Sequence, residues 1–508
     1  MDKSRKSNVK KSIVTTLILQ VVTILCGLIL PRLLLKSYGS EAYGATTSIS
    51  QFLSYITLLE GGIGGVARAA LYKPLADKDL NRISVIVGDL KRFFRIISFI
   101  SIGYALILAC AFKWISHIEV YNWPSTFLLV MVMAISTFGQ YYIGISYSAL
   151  IQADQKVYLI NSLSILTTIL NAILVIILVE LGSGLIFVKL VSSLVYLIRP
   201  TLMWLYVKKK YGLPTVQARD KDVLSQKWTG LGHHIAYYLH SNTDVAVLTI
   251  LDNLKTVSIY SVYHMILSHI QSVIIAFCAG MEPLFGDMIA KNETDNLKRT
   301  FGFYETLTSV ASTVFFGTVY VTIVPFVKLY TTGISDANYI QPLFAVLITT
   351  ATMIYCLRIP YQAVITAAGH FKQTRLGAYG EASLNIMVSV VLVWKYGLVG
   401  VAIGTIVAIG FRLIYSVIYL SRNIMNRPIG GFFKHTTLNI CTVVIIYLFC
   451  GFFIKRLEID SYLIWSGCAA VIVAIASIIT IILNALFYKE STKQVIKYIN
   501  SKLKKNIL

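Results

Sequence analysis

Apolar stretches broken by short polar segments recur along this chain from Ile13 to Leu486. A helix that crosses the hydrocarbon core of a bilayer needs about 20 mainly apolar residues. The pattern predicts an all-α polytopic membrane protein of about fourteen transmembrane helices, over residues 12–35, 44–70, 93–114, 125–148, 159–180, 185–207, 230–251, 257–282, 303–326, 342–367, 376–395, 398–420, 437–454 and 462–486. Connections on one side are all short, the longest being 327–341, whereas 71–92 and 208–229 on the other side are longer and basic. Leu80, Ile83, Val87 and Leu90 give residues 77–92 a helical period, which predicts an amphipathic helix along the membrane surface, with a solvated connector as the alternative.

A weak repeat runs at a nearly constant offset of about 215 residues. It pairs Tyr43 with Tyr260, Ala153 with Ala368, Lys156 with Lys372, Leu170-Asn171 with Leu384-Asn385, and Gly182 with Gly397. Helices one to six then read as duplicated in seven to twelve. Because six is even, the two halves are parallel repeats. This predicts a six-helix lobe over 1–207, a basic cytoplasmic linker over 208–229, a second six-helix lobe over 230–420, and two further helices with a basic tail over 421–508.

Composition agrees with lipid as the main solvent. Of 508 residues 56% are hydrophobic and 13% charged, and the mean hydropathy is +0.72. The net charge of +22 does not point to nucleic acid, because the basic residues punctuate apolar spans instead of clustering with aromatics. With the N-terminus inside, 31 of the 45 Lys and Arg fall in inner segments, 5 in outer loops and 9 within spans, which predicts cytoplasmic termini. Residues 1–11 carry five cations before an apolar run. That run is too long for a signal peptide core and lacks a small-x-small cleavage site, so it reads as a retained first helix. The seven cysteines lie in or beside apolar runs without a CxxC pair and read as small buried hydrophobes.

Several segments carry a resemblance. Residues 28–65 (LILPRLLLKSYGSEAYGATTSISQFLSYITLLEGGIGG) end one helix in Pro-Arg, turn through Tyr-Gly and begin a Gly-rich second helix. Helix seven has Asp244, followed by IYSVYHM over 259–265, and the inner turns IQADQKVY over 151–158 and TAAGHFKQTR over 366–375 are short and basic. In these the chain resembles the Wzx-type polysaccharide flippases of the multidrug/oligosaccharidyl-lipid/polysaccharide exporter superfamily. The resemblance implies a V-shaped pair of six-helix lobes that carries an undecaprenyl-diphosphate-linked oligosaccharide from the inner to the outer leaflet of a bacterial inner membrane. That is a step in making O-antigen and lipopolysaccharide, capsule or exopolysaccharide.

Ionisable side chains inside a span cost about 2.5–3.5 kcal/mol on insertion scales, so those that remain face a wet cavity or a partner. They are Arg32, Glu60, Arg68, Lys189, Arg199, Asp244, Arg358 and Arg412, with Glu282, Glu305 and Glu381 near cytoplasmic ends. A diphosphate headgroup suits a cationic lumen built from Arg32, Arg358, Arg412, Arg68, Arg199 and Lys189. Snorkelling to headgroups is the plainer account of Arg32, Arg68, Lys189 and Arg199, and pairing between helices that of Arg358 and Arg412.

His233, Tyr237, His240 and Asp244 form one stripe on helix seven at i, i+4, i+7 and i+11. The stripe fits coupling to protons or Na+ or, equally, a polar seam between helices. Zinc would need further ligands that the pattern does not supply, and no cofactor is expected. Helix ten carries Tyr355, Arg358, Gln362 and Thr366, and helix eight Tyr260, His264 and Gln271, which suit a sugar cavity or interhelical hydrogen bonds. Gly61, Gly62, Gly64 and Gly65 predict a close helix approach, or a bend.

The expected function is therefore lipid-linked oligosaccharide flipping by alternating access, without enzymatic chemistry, in contact with membrane lipids and the polysaccharide synthesis machinery. A cation-coupled drug or metabolite exporter of the same superfamily is the first alternative. A membrane-embedded polymerase or transferase would need a large outer loop or a dense acidic or His motif, and a scaffold for glycosyltransferases would leave the buried charge without purpose.

Overall fold

The computed structural model describes residues 3–60, 63–214, 242–278, 280–454 and 456–487, and these are helical without a strand among them. Among the described residues, eleven helices are long and apolar enough to cross a membrane. Two of them bend at glycines with positive φ, Gly39 (φ 82°) in α1 (Lys3–Ser54) and Gly397 (φ 49°) in α13 (Phe371–Asn423). Helix α13 holds the two spans expected over 376–395 and 398–420, whereas α1 holds the one expected over 12–35 and only the first part of that expected over 44–70. Helix seven is described only as α8 (Asn242–Leu251), the rest of its span lying outside the described residues. The chain divides into two compact units, Met1–Ser258 and Ile259–Leu508.

In the first unit α1 is followed by a 3-10 turn (Tyr55–Glu60), α2 (Ile63–Asp77), α3 (Leu80–Ser116) and α4 (Trp123–Gly139). A π turn (Gln140–Gly144) leads into α5 (Ile145–Ala153), then α6 (Val157–Glu180), α7 (Leu185–Tyr211) and α8. Residues 80–92 do not form a separate surface helix. Asp79 caps Arg82 N at 2.9 Å and the helix runs unbroken into the third span. The reason is the stripe itself: Ile83, Val87, Leu90, Phe94 and Ile97 stay on one face and bury against Ala67 and Leu71 of α2, Leu150 of α5 and Met203 of α7.

Turns between helices are tied by side chains. Tyr38 Oη donates to Ser183 O at 2.6 Å, and Glu41 Oε1 accepts from Glu119 N at 2.6 Å. At the α5–α6 turn Tyr211 Oη donates to Asp154 Oδ2 at 2.5 Å, and Lys156 Nζ lies 2.5 Å from the same oxygen. Burial alone would lower the Lys156 ammonium, but the hydrogen bond and charge of Asp154 outweigh it and raise its pKa.

The second unit holds α9 (Leu254–Cys278), most of which follows the boundary, then α10 (Met281–Ala290), α11 (Thr294–Tyr330), α12 (Pro342–Ala367), α13, α14 (Gly430–Ile454) and α15 (Tyr462–Phe487). The two halves of α13 fold back closely, since a Cβ at Gly404 would sit 2.8 Å from Ser389 N. Helix α11 supports the two C-terminal helices through Val314, Val321, Ile446, Cys450 and Ala476. Both units contain a short helix before a 37-residue one, α2 before α3 and α10 before α11. Gly182 (φ 72°) and Gly397, paired by the repeat, both turn the chain between successive spans.

Candidate functional site

Helix α1 loses its α geometry after Ser54, tightens into the 3-10 turn and resumes as α2 at Ile63. Helix α4 is likewise interrupted by the π turn before α5. Irregular backbone at membrane depth is tolerated where it lines a cavity or is buried in protein. Here both interruptions border one cavity of about 530 Å³ in the first unit, closed on a further side by α7. Most of its lining residues carry polar groups: Ser50, Ser54 and Thr57 from the α1 side, Ser136, Thr137 and Gln140 around the π turn, Ser148 and Gln152 on α5, and Tyr196 on α7, with Leu53, Ile56, Ile145 and Ala149 between them.

Two expected lumenal cations line it, Arg68 from α2 and Arg199 from α7, and Glu60 is the single carboxylate among the lining residues. Arg68 Nη1 donates to Gln152 Oε1 at 2.9 Å. Arg199 Nη2 donates to Gln140 Oε1 at 2.8 Å, and its Nη1 donates to Ser164 Oγ at 3.3 Å. Among the described residues neither guanidinium forms an ion pair, so the wall carries two cations against one anion. Gly64 lines the cavity, and a Cβ there would lie 3.9 Å from both the Arg68 and Glu60 tips; at Gly65 it would meet nothing within 4 Å. Close helix packing therefore does not explain these two glycines. They follow the break between α1 and α2, while Gly61 and Gly62 lie outside the described residues.

Arg358 and Arg412 are brought together elsewhere, in the second unit. Arg358 Nη1 lies 2.6 Å from Glu381 Oε1 and Arg412 Nε 3.6 Å from Glu381 Oε2, with all three residues buried. Arg412 Nη1 also donates to Thr374 O at 3.0 Å. A second network joins Glu305 to Tyr361 and to Arg427, 2.7 Å away, a cation in the α13–α14 connection that sequence reasoning did not single out. Beside it lies an apolar cleft of about 590 Å³ lined by Met353, Leu357, Leu413, Phe432, Phe433 and Val443.

The other expected residues are dispersed. Arg32 on α1 and Lys189 on α7 are half-buried and do not line the polar cavity. Asp244 is buried on α8 and already engaged within the protein, while His233, Tyr237 and His240 lie outside the described residues. On α12 the Arg358 guanidinium stacks over Tyr355 at 4.8 Å, and Gln362 Nε2 donates to Thr366 Oγ1 at 3.4 Å. Tyr260 and His264 stack at 5.5 Å on α9. Gln140 and Gln152 were missed because glutamine in a span carries no charge to flag it, although Gln152 sits in the quoted turn IQADQKVY.

No family model and no curated protein sequence matches this chain. Solved structures do. A structure of the lipid II flippase MurJ in an inward closed conformation aligns over 94% of this chain and 99% of its own, at 14% identity and a TM-score of 0.69. The chain has the fold of these transporters. The eukaryotic MATE transporter AtDTX14 aligns over 87% and 99% at 13% identity with a TM-score of 0.59. A transporter of the same superfamily from Pyrococcus furiosus, described as having a binding pocket of reversed polarity, aligns over 82% and 96% at 12% identity with a TM-score of 0.55. An all-helical polytopic architecture of this superfamily type is thus what the hydropathy pattern encodes.

Proposed function

We propose that the chain is a flippase that carries undecaprenyl-diphosphate-linked oligosaccharide repeat units across a bacterial inner membrane, by alternating access and without making or breaking bonds. The observation that carries this reading is the cavity of the first unit. Its hydroxyls and amides can replace the water around a glycan, and its guanidiniums retain positive charge for a diphosphate. The fold shared with a lipid II flippase supports a lipid-linked cargo, and the apolar cleft of the second unit fits a hydrocarbon chain. The substrate itself comes from the resemblance of the sequence to Wzx-type proteins. Cytoplasmic termini and parallel six-helix repeats belong to the same proposal.

The test is translocation in proteoliposomes of defined orientation, comparing a labelled undecaprenyl-diphosphate oligosaccharide with organic cations. Transfer of the lipid-linked glycan to the opposite leaflet is expected. Uptake of organic cations without glycan transfer would replace this reading by a cation-coupled exporter. That second reading is favoured by one observation, the buried Asp244 on α8, which would hold a proton or Na+.

A further inference from the structure

An arginine inside a membrane protein can be held in two ways. A carboxylate fills its donors and cancels its charge, whereas an amide oxygen fills a donor and leaves the charge in place. In the second unit Glu381 holds Arg358 in the first way and stands 3.6 Å from Arg412, so one carboxylate serves two guanidiniums; in the cavity of the first unit Arg68 and Arg199 are held in the second way, with Glu60 nearby but outside ion-pair distance. A guanidinium has only donors, so the amide atom facing it is oxygen in both cases.

Both amides are themselves held. Gln152 Nε2 donates to Ser148 Oγ one turn earlier at 2.9 Å, aiming its oxygen at Arg68. Gln140 opens the π turn and its side chain lies across Gly144, where a Cβ would come within 2.8 Å of Oε1 and 3.2 Å of Nε2. At Gly139 a Cβ would lie 2.0 Å from Leu197 Cδ2, so the turn is pressed against α7, which carries Arg199. Arg68 spends one donor on the described residues and Arg199 two, out of the five each carries.

We infer that Gln140 and Gln152 are positioning residues that fix Arg199 and Arg68 while sparing their charge, so that the cavity of the first unit binds a diphosphate-class anion. This rests on the proposed anionic cargo and assigns the part of the chain that recognises it. Glutamine and glutamate are nearly isosteric. Gln140→Glu or Gln152→Glu keeps the hydrogen bond but supplies an internal anion in competition with the ligand. A residue that merely braces the helices would gain from that exchange; a charge-sparing one loses its purpose.

The experiment uses the full chain purified in neutral detergent, with inorganic pyrophosphate as the probe. Saturable pyrophosphate binding by the wild type is expected. In Gln140→Glu and Gln152→Glu the affinity falls about tenfold or more while thermal stability is equal or higher, because a new ion pair is worth more to the fold than the amide contact. Gln140→Met, which removes the oxygen without adding charge, binds more tightly than Gln140→Glu. Absence of saturable binding in the wild type, or wild-type affinity in both glutamate variants, overturns the inference. If pyrophosphate binding follows this pattern but lipid-linked glycan does not cross the bilayer, the flippase reading falls and the anion site stands.

Discussion

A guanidinium buried among helices must have its donors filled, and what fills them decides what removing it does. Glu381 serves two arginines at once, so Glu381→Gln leaves Arg358 and Arg412 with two positive charges in a dry site. Breaking a buried pair by removing one partner costs about 3–5 kcal/mol. The expected outcome is a lower melting temperature in detergent and poor accumulation in membranes. Replacing all three charged residues with methionine recovers most of that loss; equal melting of Glu381→Gln and wild type would show that the network is not a unit. Arg68→Ala and Arg199→Ala have the opposite signature. Translocation falls by about tenfold or more at matched protein levels, and Arg→Lys retains part of it because the charge survives without the fork. In the sequence, pairing between helices is the plainer account of Arg358 and Arg412, and snorkelling to headgroups that of Arg68 and Arg199. What holds each of them depends on partners 84, 59 and 23 residues away along the chain, Gln152, Gln140 and Glu381, which no local pattern reports.

Helices were legible as spans but their interruptions were not. Hydropathy responds to the composition of a stretch, and one extra residue in a π turn or a tightened turn of 3-10 geometry leaves that composition unchanged. Of the two readings of the glycine-rich stretch, a close approach or a bend, Gly64 and Gly65 fit the second, since they directly follow the α1–α2 break. The close approach lies instead at Gly44, where a Cβ would fall 1.9 Å from the Leu254 carbonyl oxygen. Backbone cannot swing aside as a side chain does, so Gly44→Ala destabilises by about 1–3 kcal/mol or more. Gly65→Ala, with nothing within 4 Å, is neutral or stabilising by a few tenths to about 1 kcal/mol through helix propensity. Thermal melts of the two variants side by side measure the difference, and a similar effect from both would contradict the close approach at Gly44. Gly144→Ala displaces only the flexible end of Gln140. Its melting point changes little, but translocation drops as Arg199 loses its amide, and normal translocation would detach the π turn from the site.

Over the whole chain the alternation of apolar and polar segments carried the architecture, because in lipid every backbone group must be satisfied within a helix or barrel and long apolar helices leave little choice of fold class. That is why the chain shares its fold with MurJ at only 14% identity. What hydropathy does not settle is how the residues around helix seven run, since the described part, Asn242–Leu251, reaches only about 15 Å and cannot cross the hydrocarbon core unaided. The distribution of charge supplies an independent argument. If residues 230–251 cross, eight spans separate the basic segment 208–229 from Leu508, and an even number returns the chain to the same face. If they do not cross, the number is odd and every later segment changes face, so the tail, with its six lysines after Phe487, and the basic turns before it emerge opposite the segment 208–229 and the cations no longer gather on one face. The bias of Lys and Arg to one face therefore argues for the crossing. Reporter fusions placed within 208–229 and after Leu508 are therefore expected to register the same, cytoplasmic side. Opposite sides would mean that helix seven does not span, and the parallel-repeat proposal, which needs six crossings in each half, would fail with it.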